Sequence, residues 1–221
     1  GSLPADARAK LDAFLKETFG TPAAPTVAAA GEAVARLKLS DAHLAEGSKL
    51  FRAKCQQCHN LVGDGRGTSG TTLPFPRDYR QGQFKFVTSG EGAKPRRADL
   101  LRTLHDGLKG TAMPSFALLP EGDRDVLAGY VIYLSVRGQV EFESLSGLAE
   151  GRPIDPAARV PVILAEWEQA DAAPELPAEP EDEEPESSKH AEAVRRGLAL
   201  FTAKPEKGAD NSCISCHGEF G

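Results

Sequence analysis

The stretch Cys55-Gln56-Gln57-Cys58-His59 decides how the rest of this chain is interpreted. Two cysteines three positions apart lie one helical turn from each other, so both thiols can reach one edge of a flat ligand while the adjacent imidazole of His59 swings beneath it. This spacing is typical of covalent haem attachment, with the histidine on the iron. The stretch therefore predicts a haem held by Cys55, Cys58 and His59.

A second copy, Cys213-Ile214-Ser215-Cys216-His217, uses the remaining two cysteines. A structural zinc site would separate its ligand pairs by roughly 12 to 20 residues, whereas 154 residues lie between Cys58 and Cys213. A thioredoxin-like redox pair would need a βαβ setting, which the helical patterns of this chain do not provide. We therefore expect two haems, the second held by Cys213, Cys216 and His217.

Met113 is the only methionine among the 221 residues. A lone methionine ordinarily fills a gap in a core, but beside a haem it becomes the natural sixth ligand, because it lies in a loop shaped by Pro114. A thioether ligand stabilises ferrous iron, and together with histidine it raises the reduction potential. With both axial positions filled, the iron has no open position for substrate, so the chemistry predicted is outer-sphere electron transfer.

Apolar residues at helical spacing predict the helices around this haem. These are a short helix ending at Phe19, a helix capped by Ser40 that runs into the cysteines, a helix from near Arg97 to Gly107 or Gly110, and a closing helix after Pro120. Gly47, on an apolar face, predicts close approach of the closing helix at Tyr130. The first helix either packs on the haem domain or leads from a lost membrane anchor, and the sequence leaves both alternatives open.

Two loop segments complete the predicted pocket. Residues 61–72 contain four glycines and little apolar content, which indicates a loop. The carbonyl groups of Leu73-Pro74-Phe75-Pro76 are expected to accept the Nδ1 proton of His59 and so to fix the orientation of its ring.

The order and spacing of these motifs resemble class I cytochrome c. The resemblance rests on Gly47-x-x-Leu50-Phe51-x-x-x-Cys55-x-x-Cys58-His59, on Gly110-Thr111-Ala112-Met113-Pro114, and on Tyr130 and Tyr133 in the closing helix. It covers about residues 40–137 and implies an all-α fold around one covalent haem. It also implies thioether bonds from Cys55 and Cys58, axial ligands His59 and Met113, and an electron-carrier role. Family propionate ligands are less well marked, and Arg77, Tyr79 and Arg96 are the residues suggested.

The chain is expected to have five parts. These are an N-terminal helix and linker (1–39), the first cytochrome c domain (40–137), a helical extension (138–170), an acidic linker (171–187) and the opening half of a second cytochrome c domain (188–221). The linker has eight acids, four prolines and no basic residue, so it cannot bury enough apolar surface to order itself. Since 188–221 repeats the G-x-x-L-F pattern but ends four residues after His217, truncation of a full second domain is expected.

The leading functional interpretation is a tandem-haem electron carrier, either free in the periplasm or part of a respiratory complex at the outer face of the cytoplasmic membrane. One alternative is a dihaem enzyme of peroxidase or thiosulfate-oxidising type with an open second haem. Another is a docking subunit whose acidic linker recruits a basic partner.

Redox proteins are the expected partners, and binding to nucleic acid is not expected. Because haem attachment occurs outside the cytoplasm and no signal peptide or membrane span is present, a leader or anchor is expected to have been removed. Gly1-Ser2 is typical of a cloning remnant. The segment 64–109 carries nine basic residues against five acids, which favours an acidic partner at the haem edge.

Overall fold

Helices dominate the computed structural model, which describes residues 4–28, 32–71, 73–90, 92–172 and 188–202. The helices are α1 (Ala5–Phe19), α2 (Glu32–Arg36), α3 (Asp41–Lys54), α4 (Gln56–His59), α5 (Arg97–Asp106), α6 (Glu121–Ala149), α7 (Pro156–Ala172) and α8 (Ser188–Thr202). Within the described ranges, strands β1 (Gly20–Thr21) and β2 (Ala24–Pro25) pair antiparallel, and Tyr79–Gln81 forms a 3₁₀ turn. The all-α class expected from the sequence is confirmed.

The chain divides into two units, residues 1–176 and 177–221, which are described separately. The described part of the second unit is α8, whose side chains Val194, Leu198 and Leu200 are exposed. The predicted linker beyond residue 172 and the second motif, with Cys213, Cys216 and His217, lie outside the described residues. No helix in the described ranges is both long enough and apolar enough to cross a membrane.

The crossing of α3 and α6 forms the centre of the first unit. Ser40 caps α3 as predicted, and its Oγ accepts from the backbone N–H of His43 at 3.4 Å. A Cβ atom added at Gly47 would lie 2.4 Å from the Val126 carbonyl oxygen and 2.8 Å from Cβ of Tyr130. One turn later, the rings of Phe51 and Tyr130 have centroids 5.3 Å apart. The predicted close approach at Gly47 is therefore confirmed.

Helix α6 is the central element of this unit, and α1, α3, α5 and α7 all pack against it. Buried residues occur on every side of it, as expected of a helix surrounded by protein. It also continues without a break past Arg137, where the sequence analysis ended the first domain. The apolar positions after residue 137 therefore belong to the same helix, and Val140, Ser144 and Gly147 are buried along it.

Helix α1 packs on the first domain, which was one of the two alternatives left open by the sequence. Leu11, Leu15 and Phe19 are buried in the common core. The hydroxyl of Tyr133, on α6, donates to the backbone carbonyl of Phe19 at 2.6 Å. A buried bond of this kind ties the end of α1 to the middle of α6.

Helix α7 covers another side of α6 and also contacts α2. Its buried face consists of Val160, Ile163, Leu164, Trp167 and Ala170, spaced three or four residues apart. Trp167 is 1% exposed, which makes it one of the largest fully enclosed side chains in the described part of the chain. The residues after the first domain therefore add core to it.

Replacing Gly47 with valine tests the helix crossing. The new side chain would collide with the backbone of α6, so Gly47→Val should lower the free energy of unfolding by about 1–3 kcal/mol, the range for overpacking. Gly122→Val is the matched control, because a Cβ atom at Gly122, also helical, meets nothing within 4 Å. Urea unfolding followed by circular dichroism would measure both, and equal stabilities of the two variants would contradict the contact.

Candidate haem-binding site

The Cys55–His59 motif is held in a single helical turn directly after α3. Cys55 is the junction, with its N–H donating to the carbonyl of Phe51 at 2.8 Å and its carbonyl accepting from the N–H of His59 at 2.9 Å. Cys55 and Cys58 are both free, partly buried thiols. Burial, together with the nearby Cys58, raises the pKa of Cys55 to about 12. This segment therefore presents two thiols and an imidazole from one turn.

A glycine-rich loop wraps around this turn and satisfies its last carbonyl groups. The N–H groups of Gly65, Gly67 and Ser69 donate to the carbonyls of His59, Cys58 and Gln57 at 3.2, 3.1 and 2.7 Å. A Cβ atom at Gly67 would lie 2.3 Å from the Gln57 carbonyl oxygen, so only glycine fits there without a shift. This segment was predicted to be a loop, but its role in holding the motif was not predicted, although the four closely spaced glycines were the available signal.

A cavity of about 380 Å³ lies next to this turn. Its wall brings together Cys55, Cys58, His59 and Met113, the four residues predicted for the first haem. The remaining lining is mainly apolar and includes Phe51, Phe84, Leu100, Leu104, Leu108, Phe116, Leu127 and Val131. Its volume is within the usual range for ligand and cofactor pockets.

His59 is 9% exposed and its ring lies against the ring of Tyr79, with centroids 4.9 Å apart and an angle of 20° between planes. Burial lowers the pKa of His59, and the backbone of Arg77 partly offsets this effect. Within the described ranges, Nδ1 of His59 forms no hydrogen bond of standard geometry to the expected carbonyls of residues 73–76, and the backbone that interacts with the imidazole is that of the next residue, Arg77. A lowered pKa keeps the imidazole neutral, which is the form that binds a metal.

Met113 is held in a tight loop between α5 and α6. Its backbone N–H donates to Thr111 Oγ1 at 3.1 Å, and its carbonyl accepts from the N–H of Leu108, also at 3.1 Å. The Thr111 hydroxyl in turn donates to the Leu108 carbonyl at 2.8 Å. These bonds fix the backbone that carries the thioether, and the Met113 side chain packs partly buried against the core.

The residues suggested as propionate contacts are placed differently from one another. Arg77 and Tyr79 line the cavity, whereas Arg96 does not. Tyr79 is 7% exposed and lies under the His59 ring, which is a packing position. Lys54, which was not singled out from the sequence, and Lys85, one of the nine basic residues of the segment 64–109, also line the cavity and are exposed.

Asp99 is a buried acid in the cavity wall that fixes the loop before α5. Its carboxylate accepts from the N–H and the hydroxyl of Thr88, both at 3.0 Å, from the N–H of Arg96 at 3.1 Å and from the guanidinium of Arg102 at 2.8 Å. Burial alone would raise the pKa of Asp99, but these hydrogen bonds together outweigh it and lower the pKa. The ionised carboxylate therefore stabilises this wall.

The residues present fit a haem. The cavity is mainly apolar, it has the size of a cofactor pocket, and it collects two thiols, a neutral buried imidazole and a thioether from separate segments. His59 is 9% exposed and lines this cavity, so its imidazole is presented to a group bound there. A helical domain closed around such a site is a c-type cytochrome domain.

Comparisons with known proteins agree with this class. Residues 42–131 match the family model described as cytochrome c oxidase, cbb3-type, subunit III, so this part of the chain is a cytochrome c domain, which implies haem c and electron transfer. A chain of the Kuenenia stuttgartiensis reducing HAO-like protein complex Kustc0457/Kustc0458 has a similar fold, with a TM-score of 0.50 and 23% sequence identity. The match covers 79% of this chain and 61% of that one. No curated protein matches the chain.

Acid titration of stability tests the role of Asp99. Because the pKa of Asp99 is lowered in the folded state, its contribution is complete above the unfolded pKa of about 4 and is lost as the pH falls through the folded pKa. At pH 7, Asp99→Asn should reduce the free energy of unfolding by about 1–3 kcal/mol, as expected when bonds to a buried charged group are weakened. The difference in denaturant midpoint between the variant and the wild type should narrow between pH 7 and pH 3, as the pH falls below the unfolded pKa.

Asp106→Asn is the matched control, since Asp106 lies on the same helix with its side chain 58% exposed. That variant should differ little from the wild type at either pH. A difference between Asp99→Asn and the wild type that stays constant down to pH 3 would show that the carboxylate charge is not involved.

Proposed function

We propose that this chain is an electron carrier of the periplasm or of the outer face of the cytoplasmic membrane, passing single electrons to and from redox proteins. The observation that carries the proposal is the meeting of Cys55, Cys58, His59 and Met113 at one apolar cavity. The location is supported by the chemistry of attachment, because haem is joined to cysteine thiols outside the cytoplasm.

Each of these residues has a distinct task in the proposed function. Cys55 and Cys58 would hold haem c through thioether bonds, and His59 and Met113 would occupy its two axial positions. Haem c, when bound, supplies a one-electron iron couple, which histidine and thioether ligation shift towards ferrous iron. Two protein ligands would exclude substrate and water from the iron, and the domain would then favour electron transfer over catalysis at the metal.

The Cys213–His217 motif supports a second covalent haem. These residues lie outside the described part of the chain, so the proposal rests here on the motif alone. The similar fold in a chain of a reducing HAO-like protein complex supports a further proposal, that this protein acts as a module of a larger redox assembly. A respiratory complex at the membrane is the assembly expected from its chemistry.

Mass and optical spectra of the mature protein test the haem sites. The mass should exceed that of the 23.5 kDa polypeptide by two haems. Met113→Ala should abolish the far-red sulfur-to-iron absorption band and lower the potential of one haem, because Met113 is the chain's only methionine. Leu108→Ala, which truncates another lining side chain near the same loop, should keep the band. A band that survives in Met113→Ala would contradict the assignment.

The charges at the cavity define the kind of partner expected. Several of the basic residues in the segment 64–109 form ion pairs within the domain. Arg80 pairs with Asp78, Lys94 with Glu166, Arg97 with Asp125 and Arg102 with Asp99. Lys54 and Lys85, in contrast, are exposed where the cavity wall meets solvent. We therefore propose that these two lysines steer an acidic redox partner to the haem edge.

Salt dependence of electron exchange tests this steering. With an anionic redox protein, the second-order rate should fall as ionic strength rises, because exposed charges are screened. Replacing Lys54 and Lys85 together with glutamine should slow the exchange several-fold at low salt and flatten the salt dependence. Lys10→Gln, on α1 and away from the cavity, is the control expected to behave as the wild type. A double variant with an unchanged salt dependence would assign the steering to other charges.

A further inference from the structure

Aromatic rings form a continuous series from His59 to α7. Tyr79, which contacts the His59 ring, also stacks on Phe84, with centroids 5.8 Å apart and an angle of 11°. Phe84 then meets the edge of Trp167, with centroids 5.7 Å apart and an angle of 76°. Trp167 belongs to α7, which lies beyond the residues 42–131 that match the cytochrome family. The series thus joins the expected iron ligand to a helix outside the matched domain.

Three of the four rings in this series are buried. Trp167 is 1% exposed, Tyr79 is 7% exposed and His59 is 9% exposed, while Phe84 is partly buried. Because protein interiors are close-packed, a ring with neighbours on both sides cannot tilt unless those neighbours also move. A change at Trp167 is therefore transmitted through Phe84 and Tyr79 to the imidazole.

A polar contact ties the same loop to the same helix. The ammonium group of Lys94 is 6% exposed and donates to the carbonyl of Gly82 at 3.2 Å and to Oε1 of Gln139 at 2.5 Å. It also lies 3.4 Å from the carboxylate of Glu166, the neighbour of Trp167. Gly82 lies between Tyr79 and Phe84 in the sequence, so Lys94 holds the segment that carries both rings against α6 and α7.

Two neighbours bear on the plane of the His59 ring. A metal-binding histidine ordinarily donates its second N–H to a carbonyl or carboxylate, and that bond orients the ring. For His59 the nearby backbone is that of Arg77, whose interaction with the imidazole raises its pKa, although Nδ1 makes no hydrogen bond of standard geometry within the described ranges. The ring of Tyr79, stacked against the imidazole, is the second neighbour.

We propose that α7 is a positioning element for the iron ligand: Trp167 holds Phe84, Phe84 holds Tyr79, and Tyr79 sets the plane of the His59 imidazole. This inference rests on the proposed function, since it requires haem at His59. Tyr79 and Phe84 line the cavity, whereas Trp167 does not, so Trp167 acts on the ligand through packing alone. Through the ligand plane and the burial of the site, they influence the reduction potential.

The test uses the haem-loaded protein and compares Trp167→Leu with Trp167→Phe. Trp167→Leu should retain covalent haem and the sulfur-to-iron band, but its midpoint potential should fall because a loosened stack admits water near the ligand. The g values of its low-spin ferric electron paramagnetic resonance signal should also shift, because they report the orientation of the imidazole plane. Trp167→Phe keeps an aromatic ring at the position and should restore wild-type values.

Two further variants keep the test decisive. Phe84→Leu breaks the series at a partly buried side chain and serves if Trp167→Leu does not fold; it should give the same shifts. Val160→Ala removes core from the same helix two turns earlier and should lower stability without moving the potential or the g values.

Wild-type potential and g values in folded Trp167→Leu or Phe84→Leu would overturn the inference, as would equal shifts in Val160→Ala. Absence of covalent haem or of the sulfur-to-iron band in the wild type would instead overturn the proposed function.

Discussion

The close approach of α3 and α6 at Gly47 sets the dimensions of the whole first unit. A side chain at this position would overlap the backbone of α6, with the Val126 carbonyl oxygen only 2.4 Å from the added atom. The cysteine motif follows directly from the end of α3, while Leu127 and Val131 of α6 line the cavity. The separation of the two helices therefore determines how far the motif lies from the opposite wall, and a wider crossing would open the cavity.

The crossing was predictable because it depends on patterns that the sequence displays. Ser40 is a common capping residue, Gly47 interrupts an apolar face, and the residues around Tyr130 form a broad apolar surface. Met113 was identifiable because it is unique in the chain. Each of these signals is local, or pairs one local feature with another, and so needs no knowledge of the tertiary structure.

The polar contacts that hold the cavity walls were not predictable in the same way. Lysine is rarely buried, so nothing marked Lys94 as an internal residue, and its partners Gly82, Gln139 and Glu166 are distant from it in the sequence. Asp99 likewise differs from a surface acid only through the loop that folds onto it. The continuation of α6 past Arg137 was not predictable for a related reason, since Gly138 weakens a helix in isolation but here leaves room for the Arg80 side chain.

Helix α6 contacts different parts of the site along its length. Its first turns meet α3 and line the cavity, and Tyr133 in its middle fixes the end of α1. Beyond residue 137, Gln139 binds Lys94, and Glu143 accepts from the guanidinium of Arg159 on α7 at 2.6 and 3.0 Å. A helix of 29 residues is about 44 Å long. One continuous helix therefore supports the cavity wall, the N-terminal helix and the α7 contacts together, so that none of them can shift independently of the others. Such coupling suits the proposed electron carrier, because the segments that bear His59 and Met113 would have to stay in place to hold an iron between them.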